Sequence, residues 1–210
     1  MELTPIYSVP LWTSEYPDFE ENKESYLEIL RNFKNEFPQE ETKSNRNGYH
    51  SPDTVHRIPE LAPLFEYICQ LGWRAVTDLN FNECKIAITS AWVNFNDNRS
   101  AYHCEHVHEH TFSGVFYVKA PEGSGKLNII NPAINNMWIG NGMVDQKNQF
   151  TAQKISIEPV EGNILLFPSY VSHAVETNDH DDERIAISFN MVALENFEHN
   201  VQTSAPLFDN

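Results

Sequence analysis

A run of closely spaced histidines is the feature of this sequence with the clearest chemical meaning. Four of its nine histidines lie between residues 103 and 110. Imidazole is the commonest metal-binding side chain. If the segment is a strand, side chains alternate between two faces, so His106 and His108 point one way while His103 and Glu105 point the other. This spacing predicts that His106 and His108 bind one metal ion.

A third ligand and a partner for a carboxylate are available further along the chain. His173 lies in a late β-type run, and Arg184 begins the next one after the acidic segment 178–183. If these runs form a hairpin that pairs Val175 with Arg184, His173 and Arg184 share a face about 7 Å apart. That separation suits a small dicarboxylate held by a metal and by a forked guanidinium. The alternative for Arg184 is a salt bridge with its own acidic segment.

The histidine run could also have a role that involves no such metal site. The histidines could form a hydrophilic strand edge in contact with water. A zinc knuckle would need paired cysteines, and Cys69, Cys84 and Cys104 do not have that spacing. Three cysteines cannot all pair within one chain, so we expect reduced thiols.

Length and charge narrow the class of protein. The chain has 210 residues, 40% of them hydrophobic, which is enough for one full core, so we expect a single domain. Its formal charge is −16, from 30 acidic and 14 basic residues, which disfavours nucleic acid and anionic membranes as partners. The sequence shows neither a signal peptide nor an apolar run of about 18 residues. We therefore expect a cytoplasmic protein.

Helical and β-type patterns surround the candidate site. Apolar residues recur at helical spacing over residues 19–37 and about 59–80, whereas residues 39–53 have the composition of a loop. Residues 133–151 are predicted to be an inserted loop, which is either a lid or binding loop or an ordinary surface excursion. A short extended segment and eight strands are predicted at 6–12, 84–95, 101–108, 113–119, 126–130, 153–158, 163–167, 171–176 and 184–192. Eight short strands predict a sandwich or barrel, and the two helices can cover strand 84–95, which is apolar on both faces.

The order of several short motifs resembles a known family. The sequence is similar to the 2-oxoglutarate- and Fe(II)-dependent oxygenases best known from marine bacteria and their phages. The motifs that carry the resemblance are Ala91-Trp-Val-Asn94, His106-Val-His108, Ser113-Gly-Val-Phe-Tyr-Val118, Leu166-Phe-Pro-Ser169, His173 and Arg184-Ile-Ala-Ile-Ser-Phe-Asn190. The resemblance implies a mainly β fold, a double-stranded β-helix (jelly roll, cupin-like) with two N-terminal helices packed on one sheet. In this division, residues 1–82 form a helical cover, 83–193 the jelly-roll core and 194–210 a C-terminal tail.

The resemblance also implies an activity and a set of roles. His106, His108 and His173 would bind Fe(II), and Arg184 would hold 2-oxoglutarate. The side chains of Asn94, Tyr117 and Asn190 could hydrogen-bond this co-substrate, while Trp92 and Phe116 are expected in the core. The implied enzyme is a dioxygenase, a hydroxylase that uses O2 on an unidentified organic or protein substrate. Two alternatives are a cupin-type protein that binds or isomerises a small acid without O2, and a structural protein with a relic site. Oligomeric state stays open.

One position departs from the ligand set usual for non-haem iron oxygenases. That set contains two histidines and one carboxylate. Here the position of the carboxylate is occupied by His108. Either the site has three histidines, or a carboxylate such as Glu105, paired with His103, takes the third place.

Overall fold

The computed structural model describes residues 8–97, 99–132, 148 and 150–195. Within them the chain forms two α-helices and eleven strands, together with 3-10 turns at Val55–Arg57 and Pro59–Leu61. The elements are, in order, β1 (Trp12–Glu15), α1 (Phe19–Glu36), β2 (Asn45–Arg46), β3 (Tyr49–His50), α2 (Ala62–Asp78), β4 (Cys84–Asn96), β5 (Tyr102–His106), β6 (Phe112–Lys119), β7 (Leu127–Ile130), β8 (Lys154–Ile157), β9 (Asn163–Pro168), β10 (His173–Val175) and β11 (Arg184–Glu195).

The strands form two sheets that face each other. We call β1-β9-β6-β11-β4-β3 the helix-side sheet and β2-β5-β10-β7-β8 the open sheet. Every pair of neighbouring strands is antiparallel. All eight predicted strands from residue 84 onward are present, and the prediction of a sandwich with two N-terminal helices is confirmed.

Both helices pack on the helix-side sheet because each has one apolar stripe. In α1 the buried residues include Tyr26 and Leu30, and in α2 they include Leu64 and Ile68. These side chains belong to one hydrophobic cluster with inward residues of β4, β6, β9 and β11. None of the helices in the described ranges is both long and apolar enough to cross a membrane.

Alternation along β4 and β11 gives the helix-side sheet two different faces. In β11, Ile185 and Ile187 join the hydrophobic cluster beneath the helices, whereas Arg184 and Ser188 line the space between the sheets. The neighbouring strand β4 alternates in the same way, with Asn94 on the face between the sheets. Because successive side chains of a strand point to opposite faces, a single sheet supplies both the core and one wall of a cavity.

The predicted hairpin between the last two strands is wrong. β10 pairs with β5 and β7 in the open sheet, whereas β11 pairs with β4 and β6 in the helix-side sheet. The acidic segment between them crosses from one sheet to the other. His173 and Arg184 therefore approach the same cavity from opposite walls and not from neighbouring strands.

Three short N-terminal strands lie where the sequence carries little signal. β1 begins at Trp12, where the predicted extended segment 6–12 ends, and residues 6 and 7 lie outside the described part of the chain. β2 and β3 have two residues each and fall within the predicted loop 39–53. Of the predicted inserted loop 133–151, only residues 148, 150 and 151 are described.

A close approach in the centre of the helix-side sheet requires glycine at position 114. A Cβ atom there would lie 2.3 Å from Cζ of Phe189 and 2.6 Å from the backbone oxygen of Leu165. We expect Gly114→Ala to lower the free energy of unfolding by about 3 kcal/mol, because neither β9 nor β11 can move away alone. Urea denaturation measures this loss.

The matched control for Gly114→Ala is Gly123→Ala. Gly123 has φ +81°, but a Cβ atom added there would meet no other atom within 4 Å, so only the backbone preference is lost. That loss is about 1 kcal/mol. Equal effects of the two substitutions would contradict the steric explanation.

Candidate metal centre

Three histidines converge at one end of the space between the sheets. His106 ends β5 and is paired in register with His173, the first residue of β10. His108 lies two residues beyond β5, where its backbone N–H donates a hydrogen bond to the oxygen of Ser169 (3.0 Å). One nitrogen atom of each of the three imidazoles lies within 4.8 Å of the others. The structure thus brings together the three residues proposed as ligands.

Backbone contacts orient two of these rings. Nδ1 of His106 lies 2.7 Å from the oxygen of Cys104, and Nδ1 of His173 lies 2.9 Å from the oxygen of Val171. A carbonyl oxygen only accepts, so each ring carries its proton on Nδ1. Each Nε2 then keeps a free lone pair, which is the arrangement that a metal-binding imidazole needs.

Burial keeps the three imidazoles neutral. It lowers the pKa of His106, lowers that of His108 to about 3 and lowers that of His173 to about 4. Neighbouring histidines act in the same direction on His108 and His173. Because a protonated imidazole cannot bind a metal, these low pKa values leave the ligands available at neutral pH.

The structure places Glu105 outside this group. Its carboxylate accepts a hydrogen bond from the hydroxyl of Ser172 (2.6 Å) on the exposed side of the open sheet. The predicted alternation, with His103 and Glu105 on one face opposite His106, is wrong for His103. A register shift between β5 and β10 sets His173 against His106 but Val175 against His103, so two residues of β5 (104 and 105) lie opposite one residue of β10 (174). This bulge turns His103 toward the cavity.

A second group of possible metal ligands already contacts the ammonium group of a lysine. Oxygen or nitrogen atoms of Glu41, His50 and Asp53 lie within 4.8 Å of one another. Nζ of Lys43 lies 3.2 Å from the Glu41 carboxylate and 3.8 Å from that of Asp53. Its ammonium group balances one of the two negative charges and lies next to both carboxylates, and we assign no metal there.

A cavity extends from the three histidines to Arg184. We call this space the inner cavity; it is lined by His103, His106, His108, Tyr117, His173 and Arg184, among others. Arg184 is 3% exposed, and its Nε has no hydrogen-bond partner. Burial lowers the pKa of its guanidinium, which lies 5.3 Å from the ring centre of Tyr117. Arg184 is the one Lys, Arg, Asp or Glu among the described residues that line this cavity.

The salt bridge considered for Arg184 does not form. Three carboxylates of the acidic segment 178–183 pair with other cations instead: Asp181 with Arg99, Asp182 with Lys119, and Glu183 with Arg31 and Lys119. None of the salt bridges between described residues includes Arg184. A buried guanidinium without a counter-ion is costly, so this cavity is built for an anion.

Two further candidate residues face the inner cavity with unpaired oxygen atoms. Oδ1 of Asn94 is buried without a hydrogen-bond partner, and the buried hydroxyl of Tyr117 interacts with the Arg184 guanidinium without forming a hydrogen bond of good geometry. The amide nitrogen of Asn94 donates to the hydroxyl of Ser188 (3.1 Å). Unsatisfied buried polar atoms are rare, so a bound polar molecule is expected beside them.

Asn190 differs from these two residues. Its Oδ1 accepts a hydrogen bond from Ser113 (2.8 Å), and its Nδ2 donates to Ser90 (3.1 Å). The Ser113 hydroxyl also contacts that of Ser169 (2.7 Å). Asn190 does not line the inner cavity but lies in an adjacent cleft, the outer cleft described below. The hydrogen bonds of Asn190, Ser113 and Ser169 connect β11 with the loop that holds His108, because the Ser169 oxygen accepts the backbone N–H of His108.

Phe116 lies in the core as expected, and Trp92 is buried as expected (8% exposed) but at the edge of the inner cavity. Among the described residues, the two hydrophobic clusters do not include Trp92. Its ring stacks on that of His50, with centroids 5.3 Å apart, and lies 5.8 Å from that of His108. Trp92 lines both the inner cavity and an outer cleft whose other walls include Lys43, Arg46, Asp53, Glu105 and Val107. Trp92 lies two residues before Asn94 in β4, so strand alternation alone predicts that both side chains are on the same, cavity-facing side.

Comparison with known proteins agrees with this geometry. Residues 90–190 match the model of a family described as "Putative 2OG-Fe(II) oxygenase". This stretch contains the three histidines, Arg184, Asn94, Tyr117 and Asn190. No curated protein matches the chain in sequence.

Solved structures share the fold at low sequence identity. A Pseudomonas putida prolyl-4-hydroxylase has 14% identity and a TM-score of 0.61, over 87% of this chain and 93% of that one. The non-heme alpha ketoglutarate dependent carbocyclase SnoK from nogalamycin biosynthesis has 11% identity and a TM-score of 0.63, over 95% and 89%. A Trichoplax adhaerens prolyl hydroxylase in complex with a hypoxia inducible factor peptide has 13% identity and a TM-score of 0.59, over 92% and 87%.

The matched region and the fold together define a class. The two facing sheets with helices on one side are a double-stranded β-helix. The match over residues 90–190 and the shared fold point to the 2-oxoglutarate-dependent Fe(II) oxygenases, a class whose cofactors are Fe(II) and 2-oxoglutarate and which acts with O2 on a further substrate.

Proposed function

We propose that His106, His108 and His173 hold the iron, that Arg184 holds 2-oxoglutarate, and that the enzyme hydroxylates its substrate. The observation that carries this proposal is the pair of groups at the two ends of the inner cavity. Three neutral imidazoles, two of them with open Nε2 atoms, lie at one end, and a buried guanidinium without a counter-ion lies at the other. Together these groups fit a metal and a dicarboxylate.

Charge supports the same assignment. The described lining of the inner cavity contains Arg184 and no carboxylate, although the whole chain carries a formal charge of −16. A divalent metal and a guanidinium there are partly balanced by a dianion such as 2-oxoglutarate. In this class iron and 2-oxoglutarate supply the activation of O2, and 2-oxoglutarate becomes succinate and CO2. The protein's own residues bind, orient and exclude water.

The outer cleft is the proposed entry for the substrate. It meets the inner cavity at Trp92, His106 and His108, so a molecule bound in it lies next to the metal ligands. Its rim carries both charged side chains and the exposed Val107. The structure of the Trichoplax enzyme is a complex with a peptide fragment, which makes a peptide or protein side chain one candidate substrate. A small metabolite is the other.

The domain division and location follow from the same proposal. We infer one domain over residues 1–210, because β1, β2 and β3 place the N-terminal region in both sheets of the core. A cytoplasmic location fits three free cysteines. The link to marine bacteria and phages rests on the motifs alone and stays a prediction.

The experiment that tests the function is an anaerobic titration. We expect Fe(II) followed by 2-oxoglutarate to produce a weak visible charge-transfer band, because both must bind one centre for the band to form. Succinate in place of 2-oxoglutarate is the control and should give no band. A cupin-type protein that binds a metal but does not use 2-oxoglutarate would bind Fe(II) without the band, and that result would overturn the proposal.

A further inference from the structure

We propose that His103 is a binding residue for 2-oxoglutarate, donating a hydrogen bond from Nε2 to the carboxylate that Arg184 holds. This inference rests on the proposed function of the inner cavity. It gives a role to a histidine that lies close to the metal ligands in sequence but outside their group in space.

The bulge in β5 places His103 where it can serve this role. An undistorted strand would send the side chains of residues 103 and 106 to opposite faces. The register shift between His106 and His103 puts both into the inner cavity. Bulges next to active sites commonly re-aim one side chain in this way.

The hydrogen bonds of His103 leave one ring nitrogen free. Nδ1 lies 3.4 Å from the hydroxyl of Ser44, and no other polar contact of His103 is found within the described ranges. The side chain is 7% exposed and lines the inner cavity, and its Nε2 makes no hydrogen bond with the described residues. If Ser44 donates to Nδ1, the ring proton is on Nε2, and His103 presents a donor to any anion bound there.

Among the charged groups around the His103 ring, the Arg184 guanidinium has the strongest electrostatic effect on it. Burial and then the Arg184 guanidinium hold the pKa of His103 well below its ordinary value. His103 is therefore a neutral donor beside a cation and not a second positive charge. A carboxylate has two oxygen atoms, so it can accept hydrogen bonds from the guanidinium and from the imidazole together.

The test is an anaerobic titration of 2-oxoglutarate into the Fe(II)-loaded full chain. Its readout is the charge-transfer band, with iron content measured on the same samples. We expect His103→Leu to raise the Kd of 2-oxoglutarate about 10-fold, since one hydrogen bond to a charged group is lost, and to leave iron content unchanged. His103→Gln can still donate from a similar reach and should stay within about 3-fold of wild type.

A second ligand locates the contact on the co-substrate. 2-Oxovalerate has the same chain length as 2-oxoglutarate but a methyl group in place of the distal carboxylate. If His103 binds that carboxylate, His103→Leu should leave the Kd of 2-oxovalerate unchanged, as in a double-mutant cycle between protein and ligand. An equal loss for both ligands would overturn the assignment to the carboxylate at Arg184.

The outcomes separate this inference from the proposed function. If wild type gives no band with 2-oxoglutarate, the proposed function fails. If wild type gives the band and His103→Leu binds 2-oxoglutarate equally well, only the role of His103 fails. Should the leucine variant not fold, Ser44→Ala replaces it: loss of the hydroxyl that fixes the ring proton should raise the same Kd about 3-fold, and an unchanged Kd would overturn the inference.

Discussion

Replacing His108 with alanine should remove most of the iron, whereas replacing it with aspartate should keep the iron in place. Loss of one of three protein ligands is expected to weaken Fe(II) binding by about 100-fold or more, since removal of a mere partner of a ligand already costs 10- to 100-fold. A carboxylate oxygen binds at a distance similar to that of an imidazole nitrogen, so His108→Asp gives the usual two-histidine, one-carboxylate set. Iron content after gel filtration and turnover of 2-oxoglutarate to succinate measure both effects.

The matched control for the His108 variants is His110→Ala. His110 comes from the same run of the sequence but is not part of the group whose nitrogen atoms converge. Its removal should leave iron content near the wild-type value. Full iron occupancy with unchanged turnover in His108→Ala would show that His108 is not a ligand.

If His108 is a metal ligand, the identity of residue 108 sets the charge of the metal centre. Three neutral imidazoles leave the metal one unit more positive than the usual set with a carboxylate. Burial keeps the pKa of His108 low, at about 3, so its ring does not carry a further charge at neutral pH. His108→Asp therefore changes the charge of the centre by one unit with little change of ligand distance, and a different turnover at equal iron content would report that charge.

Much of the fold could be predicted because its strands obey a simple period. In β11, isoleucines 185 and 187 alternate with Arg184 and Ala186, and burial of one face in the helical layer makes that pattern visible in the sequence. β2 and β3, with two residues each, are too short to show any period. Their pairing with β5 and β4 depends on residues more than 40 positions away, which no local pattern records.

The candidate site was predictable to a similar extent. The paired spacing of His106 and His108 is a local signal, and it correctly predicts that these two imidazoles lie close together. The bulge that turns His103 inward is not local, because it arises from the register of β5 against β10. The same holds for Arg184, which reaches the cavity from the opposite sheet and not through a hairpin with His173.

Replacing Arg184 with lysine should weaken 2-oxoglutarate binding while leaving Fe(II) affinity nearly unchanged. Lysine keeps the positive charge but has a single ammonium group, which cannot donate two parallel hydrogen bonds to a carboxylate. The site is buried and has no carboxylate of its own among the described lining residues, so water does not compensate for the lost contact. We expect a rise of about 30-fold in the Kd of 2-oxoglutarate, which corresponds to about 2 kcal/mol.

The control for this substitution is Arg99→Lys. Arg99 is an exposed arginine that pairs with Asp181 in the acidic segment before β11, and exposed pairs contribute little. Its replacement should change neither affinity.

Anaerobic titrations of Fe(II) and of 2-oxoglutarate, followed separately, distinguish the possible results for Arg184→Lys. Equal loss of both affinities would indicate a structural role, because the guanidinium lies on the opposite sheet from His106 and His173 and cannot itself be a ligand of the metal. Loss of neither would mean that the dicarboxylate binds elsewhere, and the unpaired Nε of Arg184 would then need another partner.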